Sequence, residues 1–382
     1  MRVLVLGGDG YLGWPTAMHL SSNGHEVAVV DNYLRRRLVQ EEDVEPLFDN
    51  PNLQERIRIW EAISGKQISA YIGNLGTWDF IERVFKEFQP EAIVHYAEQP
   101  SAPYSMLRRE AATLTLNNNL SVTANTIFAV KEFCPDAHII KLGTMGEYGT
   151  PNIDIEEGWL DIDYKGRKDR FLFPRQAGSL YHTTKIMDTD LLWYYVRVWG
   201  LRVTDLMQGP VYGVFTDESV ADDRLLPFFS YDELFGTVLN RFVVQAVCGY
   251  PLTVYGKGEQ TRGYLNIIDT LNCVMLSLQH PAHPGELRIF NQFTETFSVN
   301  ELANRVCSAG ACINLDVRVQ SIQNPRVELE DHYYNPAHTG LVSLGLQPHF
   351  LSDDVLVNLL EYVMRGKDRI DVKKIFRGIK WA

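Results

Sequence analysis

Residues 2–31 of the chain read RVLVLGGDGYLGWPTAMHLSSNGHEVAVVD, and this stretch decides the fold. The continuous apolar run at residues 2–7 predicts a parallel strand that is covered on both faces. Residues 11–23 have helical spacing that ends at Gly24, and the run Glu26–Asp31 predicts a second strand. A strand, a glycine loop, a helix and a second strand together predict a unit that binds a dinucleotide.

Three glycines with the spacing Gly-x-x-Gly-x-x-Gly follow the first strand directly. Gly7 permits the tight turn, Gly10 lets the backbone approach a pyrophosphate, and Gly13 brings the helix close to the sheet. The helix N-terminus offers N–H groups and a partial positive charge to that pyrophosphate. Asp31 ends the next strand, where a carboxylate can accept hydrogen bonds from ribose hydroxyls. The candidate cofactor residues are Gly7, Gly10, Tyr11, Leu12, Gly13, Asp31, Asn32, Arg35, Arg36, Asn74 and Leu75.

Three consecutive arginines, Arg35 to Arg37, bear on the choice between NAD and NADP. An arginine beside Asp31 would accommodate a 2′-phosphate, whereas the Asp31 carboxylate repels one. The carboxylate therefore favours NAD as the cofactor.

The alternation of apolar runs with helical segments predicts an α/β fold with a Rossmann-type, doubly wound parallel sheet. We expect residues 1–208 to form mainly the NAD-binding domain, with an insertion at about 35–66. Beyond Gly209 the alternation breaks down, and residues 209–382 predict a smaller mixed α/β lobe that binds the substrate. The chain is expected to cross between the two.

Composition excludes several classes of function. The formal net charge of −12 argues against a nucleic-acid surface. The five cysteines are scattered without a Cys-x-x-Cys or Cys/His cluster, which predicts a reducing compartment and no metal site. No apolar run approaches the ~20 residues of a membrane span, and the chain opens directly into a strand. We therefore expect no membrane insertion and a cytoplasmic location, or the plastid stroma if a transit peptide has been removed.

Tyr181 and Lys185 lie four residues apart, on one face of a predicted helix. A tyrosine hydroxyl has a reference pKa near ~10, and a nearby ammonium favours its phenolate form. This pair follows the predicted strand that ends at Thr144, in a chain with a dinucleotide site. The arrangement predicts a tyrosine base that removes a hydroxyl proton while a hydride passes to NAD.

These residues resemble those of extended short-chain dehydrogenases/reductases that act on nucleotide sugars, and most closely the UDP-sulfoquinovose synthase family. The likeness covers nearly the whole chain. It is carried by GGDGYLGWP (7–15), SAPYSM (101–106), KLGTMGEYGTPNIDIEE (141–157), LTVYGKG (252–258), QTRGY (260–264), FNQFT (290–294) and NPRVE (324–328).

The resemblance implies a reaction and a set of residue roles. The family converts UDP-glucose and sulfite into UDP-sulfoquinovose through C4 oxidation, C5–C6 dehydration, sulfite addition and C4 re-reduction. It implies catalytic roles for Thr144, Glu147, Tyr181 and Lys185, with Tyr181 and Lys185 also contacting NAD. The implied substrate-binding residues are Gln99, Tyr104, Thr144, Gln208, Val254, Arg262 and Arg326. It also implies a homodimer formed through the helices at 114–133 and 181–199.

Two positions depart from related patterns. Nucleotide-sugar 4,6-dehydratases typically have the pattern Thr-Asp-Glu where this chain has Thr144, Met145 and Gly146. Glu147 is therefore the nearest carboxylate for the elimination. The family typically carries arginine where this chain has Pro100. Two alternatives stay open at this point: another UDP-hexose 4-epimerase or dehydratase, and a dinucleotide-binding regulatory protein without enzymatic activity.

Overall fold

Strands and helices alternate along the first half of the chain. The structure is a computed structural model that describes residues 1–324, 333–376 and 378. Its strands are β1 (Arg2–Leu6), β2 (Glu26–Asp31), β3 (Ile68–Ile72), β4 (Ala92–His95), β5 (His138–Thr144), β6 (Trp159–Tyr164), β7 (Arg167–Leu172), β8 (Arg202–Gln208), β9 (Val211–Tyr212), β10 (Leu252–Tyr255), β11 (Thr261–Asn266), β12 (Leu287–Gln292), β13 (Glu295–Ser298) and β14 (Val319–Ile322). Its α-helices are α1 (Gly13–Ser22), α2 (Leu34–Glu41), α3 (Leu53–Ser64), α4 (Trp78–Phe88), α5 (Ala102–Ser105), α6 (Arg109–Phe133), α7 (Leu180–Trp199), α8 (Val238–Cys248), α9 (Ile267–Gln279), α10 (Val299–Cys312), α11 (Gly340–Ser343) and α12 (Asp353–Arg365).

Seven strands form one sheet in the order β12-β8-β5-β4-β1-β2-β3, and every neighbouring pair is parallel. The four central residues of β2 and all of β4 are buried, because hydrophobic clusters cover both faces of the sheet. This sheet confirms the predicted α/β, Rossmann-type fold. The chain order reverses between β1 and β4, and a ligand crevice is expected beyond the carboxyl ends of the strands at such a point.

The predicted insertion contains two helices, α2 and α3, between β2 and β3. At the edge of the sheet opposite β3, β12 pairs with β8, so the chain returns to the main sheet well beyond residue 208. The domain boundaries at 208 and 209 stay a prediction.

A second group of elements lies beyond β8. Strands β13, β11 and β9 form a mixed three-stranded sheet, and β10 pairs in parallel with β14. Helices α8, α10 and α12 enclose a separate core that contains Phe242, Leu302 and Leu360. The apolar pattern did not predict the β6–β7 hairpin, because its residues are mostly exposed and many are charged.

Candidate active site

The glycine loop has the geometry that its sequence predicts. Gly7 has φ +86°, and a Cβ there would lie 2.8 Å from the Tyr96 carbonyl carbon at the end of β4. A Cβ on Gly13 would lie 2.0 Å from the Gly7 carbonyl oxygen, so only glycine lets α1 begin against this loop. Gly10 has only the Gly7 oxygen near its Cβ position, at 3.3 Å. The loop therefore leaves a cradle for a pyrophosphate at the N-terminus of α1.

Asp31 stands beside this cradle and is already hydrogen bonded. Its Oδ2 accepts from the Asp9 N–H at 2.9 Å, and its Oδ1 accepts from the Tyr33 N–H at 2.7 Å. Burial, and next the neighbouring Asp9 charge, raise the pKa of Asp31 to about 6. Each carboxylate oxygen retains a lone pair for a ribose hydroxyl.

The two candidate arginines point in different directions. Arg35 faces the crevice, where its guanidinium lies 3.4 Å from the centre of the Phe235 ring and donates to Ser230 Oγ at 2.9 Å. Burial lowers the pKa of Arg35 to about 10. Arg36 does not line the crevice and instead pairs with Asp9.

One cleft of about 930 Å³ runs from the glycine loop across the ends of the parallel strands to the second group of elements. Its volume lies at the upper end of the range of about 300–1,000 Å³ that ligand pockets span. Most of the predicted site residues line it, namely Gly7, Gly10, Tyr11, Leu12, Gly13, Asp31, Asn32, Arg35, Asn74, Leu75, Thr144, Tyr181, Gln208 and Arg262.

Thr144 and Tyr181 both line this cleft. Thr144 is the last residue of β5, and Tyr181 lies in the first turn of α7, which Ser179 caps through the His182 N–H. Burial, and next the Glu98 carboxylate, raise the pKa of the Tyr181 hydroxyl well above its ordinary value, against the opposing charge of Lys141. Lys185 Nζ lies 5.8 Å from the Tyr181 ring centre and donates to the Leu142 carbonyl.

Glu147 lies behind the cleft wall and has no exposed surface. Its Oε1 is 3.5 Å from Lys141 Nζ and accepts from the Thr144 N–H at 3.3 Å, while its Oε2 lies 3.5 Å from Arg175 Nη1. Burial raises the pKa of Glu147, and the two cations oppose that effect. The geometry therefore places Glu147 where it holds the backbone turn after Thr144.

The imidazole of His182 fills the space that a side chain at position 146 would take. A Cβ built on Gly146 would lie 2.4 Å from His182 Nε2, and both residues line the cleft with Thr144. The other ring nitrogen, Nδ1, lies 3.1 Å from Ser179 Oγ, which fixes the ring. The helical spacing of the sequence did not single out this histidine, because its position beside Gly146 depends on contact with another segment.

The predicted substrate residues divide into two groups. Gln208 and Arg262 reach the cleft, with Gln208 Nε2 donating to Gln292 Oε1 at 3.0 Å. Gln99, Tyr104 and Val254 are buried and do not line it. The Gln99 amide donates to Thr115 Oγ1 at 2.8 Å, and Tyr104 stacks on Phe235 with the ring centres 5.9 Å apart. Arg326 lies outside the described residues.

Sequence reasoning missed three charged residues that line the cleft, Glu98, Glu233 and Arg241. Arg241 lines it and is 6% exposed. A signal was present, because Arg241 is the one charged residue within Val238–Cys248, and a buried arginine needs a partner. Glu98 also lines the cleft and pairs with Lys185 at 2.7 Å. No local pattern marks Glu98, since the two residues meet only through the fold.

Comparison with known proteins places this geometry in a family. The model of the NAD dependent epimerase/dehydratase family matches residues 3–291. The chain is 50% identical to the chloroplastic UDP-sulfoquinovose synthase of Spinacia oleracea over 380 residues, covering 100% of this chain and 79% of that relative. It is 46% identical to the UDP-sulfoquinovose synthase of Sulfolobus acidocaldarius over 385 residues, covering 100% and 98%. The chain belongs to the UDP-sulfoquinovose synthase family, within the NAD-dependent epimerases and dehydratases.

A solved structure agrees with the fold of this chain. The UDP-glucose 4-epimerase of Thermus thermophilus, solved in complex with NAD, superposes with a TM-score of 0.69 at 22% identity. The match covers 96% of this chain and 99% of that one. Members of this family are NAD-dependent enzymes, and the cradle at Gly7 and Gly13 with Asp31 beside it fits NAD.

No helix in the described ranges has the length and hydropathy to cross a bilayer. Nor do three potential metal-ligating side chains cluster within those ranges.

Proposed function

We propose that this chain converts UDP-glucose and sulfite into UDP-sulfoquinovose and water. The observation that carries the proposal is identity of 50% and 46% over the whole chain to two relatives that bear the name of this activity. A 4-epimerase or a 4,6-dehydratase is less favoured, because the Lys141 to Glu157 segment follows the synthase pattern.

The first step uses Tyr181 and Thr144. The Tyr181 phenolate takes the proton of the sugar 4-hydroxyl, and the Thr144 hydroxyl holds the same oxygen in place. When bound, NAD supplies the hydride acceptor for C4 and returns that hydride at the end of the cycle. Lys185 stabilises the phenolate and the cofactor ribose. Oxidation of C4 to a ketone makes the C5 proton acidic, which allows the next step.

The elimination uses His182. Its Nε2 faces Gly146 at the cleft surface, where the dehydratase pattern would carry a carboxylate. The imidazole takes the C5 proton and delivers it to the departing C6 hydroxyl, so that water leaves and a C5–C6 double bond forms. A single histidine can perform both transfers, because neutral imidazole accepts at one nitrogen and then donates from it. Sulfite then adds at C6, C5 regains a proton, and C4 is reduced again.

Arg241 and Arg262 are our candidates for holding the UDP diphosphate. Both line the cleft from the second group of elements, on α8 and β11, and guanidinium forks suit phosphate oxygens. Arg326 is proposed with them from its position in the family motif. Gln208, beside Thr144 in the sheet register, is proposed to contact the sugar.

A homodimer is part of the proposal. Helices α6 and α7 expose Phe128, Met187, Tyr194 and Val198, which are 37–54% exposed. Large exposed apolar side chains on adjacent helices are typical of a subunit interface. Light scattering after size-exclusion chromatography would give twice the chain mass if this proposal holds, and the chain mass if it fails.

The function is tested by incubating the chain with UDP-glucose and NAD, with and without sulfite, and analysing the products by mass spectrometry. We expect a sulfonated nucleotide sugar only when sulfite is present. Tyr181→Phe should lower turnover by about 10²–10⁴-fold, as expected for loss of a general base. Turnover of UDP-glucose that is independent of sulfite and yields an epimer would refute the assignment.

The proposed role of His182 is tested separately, by exchange of the sugar C5 proton with solvent. In D₂O the wild-type chain should exchange the C5 proton of the sugar once C4 has been oxidised. His182→Gln should abolish this exchange while C4 oxidation, followed by NADH absorbance, continues. His280→Gln, at an exposed position, is the control and should leave both unchanged. Normal C5 exchange in His182→Gln would assign the elimination to another group.

A further inference from the structure

Asp9, in the glycine loop, is bound by two arginines of the inserted helices. Arg36 of α2 makes a fork to its carboxylate, with Nε to Oδ2 at 2.6 Å and Nη2 to Oδ1 at 3.0 Å. Arg56 of α3 contacts Oδ1 as well and donates to the Asp9 carbonyl at 3.0 Å. The Asp9 side chain is 2% exposed and that of Arg56 has no exposed surface. The insertion is therefore fastened to the loop expected to hold the pyrophosphate.

The remaining contacts of the two arginines keep them in place. Arg36 also donates to the backbone carbonyls of Asn50 and Pro51, at 2.9 Å and 2.6 Å. The Arg56 guanidinium lies 4.9 Å from the Trp14 ring centre. Four hydrogen bonds from Arg36 thus go to protein acceptors, and Arg36 does not line the cleft.

This cluster adjoins the carboxylate that would receive the adenosine ribose. The Asp9 N–H donates to Asp31 Oδ2, so the two acids are in direct contact in the site. Two carboxylates and two guanidiniums balance in charge. A 2′-phosphate would add about −2 to this balanced set next to Asp31, while Asp9 already engages both Arg36 and Arg56. An arginine in this region is what NADP-binding sites use for that phosphate.

We propose that Asp9 is a specificity-determining residue that makes the site select NAD over NADP by taking up the Arg36 and Arg56 guanidiniums. The inserted helices then have a defined role, since they supply the cations that Asp9 neutralises. The selection does not depend on the sugar reaction, so it can fail while the proposed function stands, and the reverse also holds.

The test measures dissociation constants of NAD and NADP by isothermal titration calorimetry with the full chain. The wild type should bind NAD about 100-fold or more tightly than NADP, because a buried uncompensated phosphate is strongly disfavoured. Asp9→Asn keeps the size of the side chain and should reduce that ratio by about tenfold, through tighter NADP binding by the released Arg36. Asp9→Glu keeps the charge and should retain the wild-type ratio.

A double variant identifies the arginine responsible. Asp9→Asn with Arg36→Gln should lose the gain in NADP affinity, whereas Asp9→Asn with Arg37→Gln should keep it, because Arg37 pairs at the surface with Glu41. If Asp9→Asn does not fold, Asp9→Ser carries the same comparison. Equal binding of NAD and NADP by the wild type, or parallel losses of both in the neutral variants, would overturn the proposal.

Discussion

Glu98 and Lys185 form a buried ion pair close to Tyr181, with 2.7 Å between Glu98 Oε1 and Lys185 Nζ. Both side chains are 2% exposed. Lys185 also donates to the Leu142 carbonyl, so two acceptors fix its ammonium. The charges around the Tyr181 hydroxyl include Lys141 of β5, Asp188 of α7 and Glu147. After burial, the Glu98 carboxylate has the largest effect on the pKa of Tyr181, which it raises.

Replacing Glu98 with Gln is therefore expected to move the acid limb of the pH profile of kcat to lower pH. Loss of the negative charge lowers the pKa of Tyr181, so the reactive phenolate persists to more acidic solution. Steady-state rates of the sulfite-dependent reaction across pH would show this shift. Glu98→Asp keeps the charge and should retain the wild-type limb. An unshifted limb in Glu98→Gln, with only a loss of rate, would assign Glu98 a purely structural role.

Glu147→Gln is expected to affect stability more than the elimination. The substitution leaves Lys141 and Arg175 buried with one fewer countercharge, and breaking a buried ion pair costs about 3 kcal/mol. Urea unfolding of the variant should show this loss in the free energy of unfolding. Glu156→Gln, at an exposed neighbouring position, should be neutral. Wild-type stability combined with lost C5 exchange would instead identify Glu147 as the acid or base of the elimination.

How far the sequence predicts this site depends on whether a role is local. Gly7, Gly13 and Asp31 follow from one continuous segment, and the pair Tyr181 and Lys185 follows from the helical repeat. The order of the parallel strands then brings them to one edge, as the alternating pattern predicts. Closeness along the chain was a poor guide for Arg36. It lies near Asp31 in the sequence and was predicted to contact the cofactor, but in the structure it pairs with Asp9 and does not line the cleft.

Roles that depend on packing between distant segments had no pattern to mark them. The proposed role of His182 depends on Gly146, in a different segment, having no side chain. Glu98 follows β4 and meets Lys185 of α7 only through the fold. The buried charge of Glu147 is compensated by Lys141, six residues earlier in the same motif, and by Arg175 from a different segment. A sequence shows which residue types are present at such positions, but only the fold shows which of them share a low-dielectric site.

The pKa of Asp31 predicts how cofactor binding responds to pH. Ribose hydroxyls donate to the charged carboxylate, so bound NAD favours the deprotonated form. With a pKa of about 6 in the free protein, the dissociation constant for NAD should be flat above pH 7 and rise by about tenfold toward pH 5. Calorimetric titrations over this range would measure it. Asp31→Asn should bind NAD more weakly and without this pH dependence, and a flat wild-type profile down to pH 5 would contradict the prediction.

Gly146→Ala is expected to slow the elimination strongly by moving His182. The new Cβ would lie 2.4 Å from His182 Nε2 and 2.5 Å from its Cδ2, so the imidazole has to shift. A displacement of about 1 Å can lower a rate by about 100-fold, and we expect a loss of that size in C5 exchange, with C4 oxidation retained. Gly178 also lines the cleft, but a Cβ there meets no atom within 4 Å, so Gly178→Ala serves as the matched control.

The same variant distinguishes displacement of His182 from damage to the turn after Thr144. In a His182→Gln background, Gly146→Ala should cost little further C5 exchange, because the two changes remove one and the same group from its position. A loss of C4 oxidation in parallel with C5 exchange would mean that the alanine disturbs Thr144, whose Oγ1 accepts from the Gly146 N–H at 3.2 Å. Fully additive losses would mean that Gly146 acts independently of the imidazole.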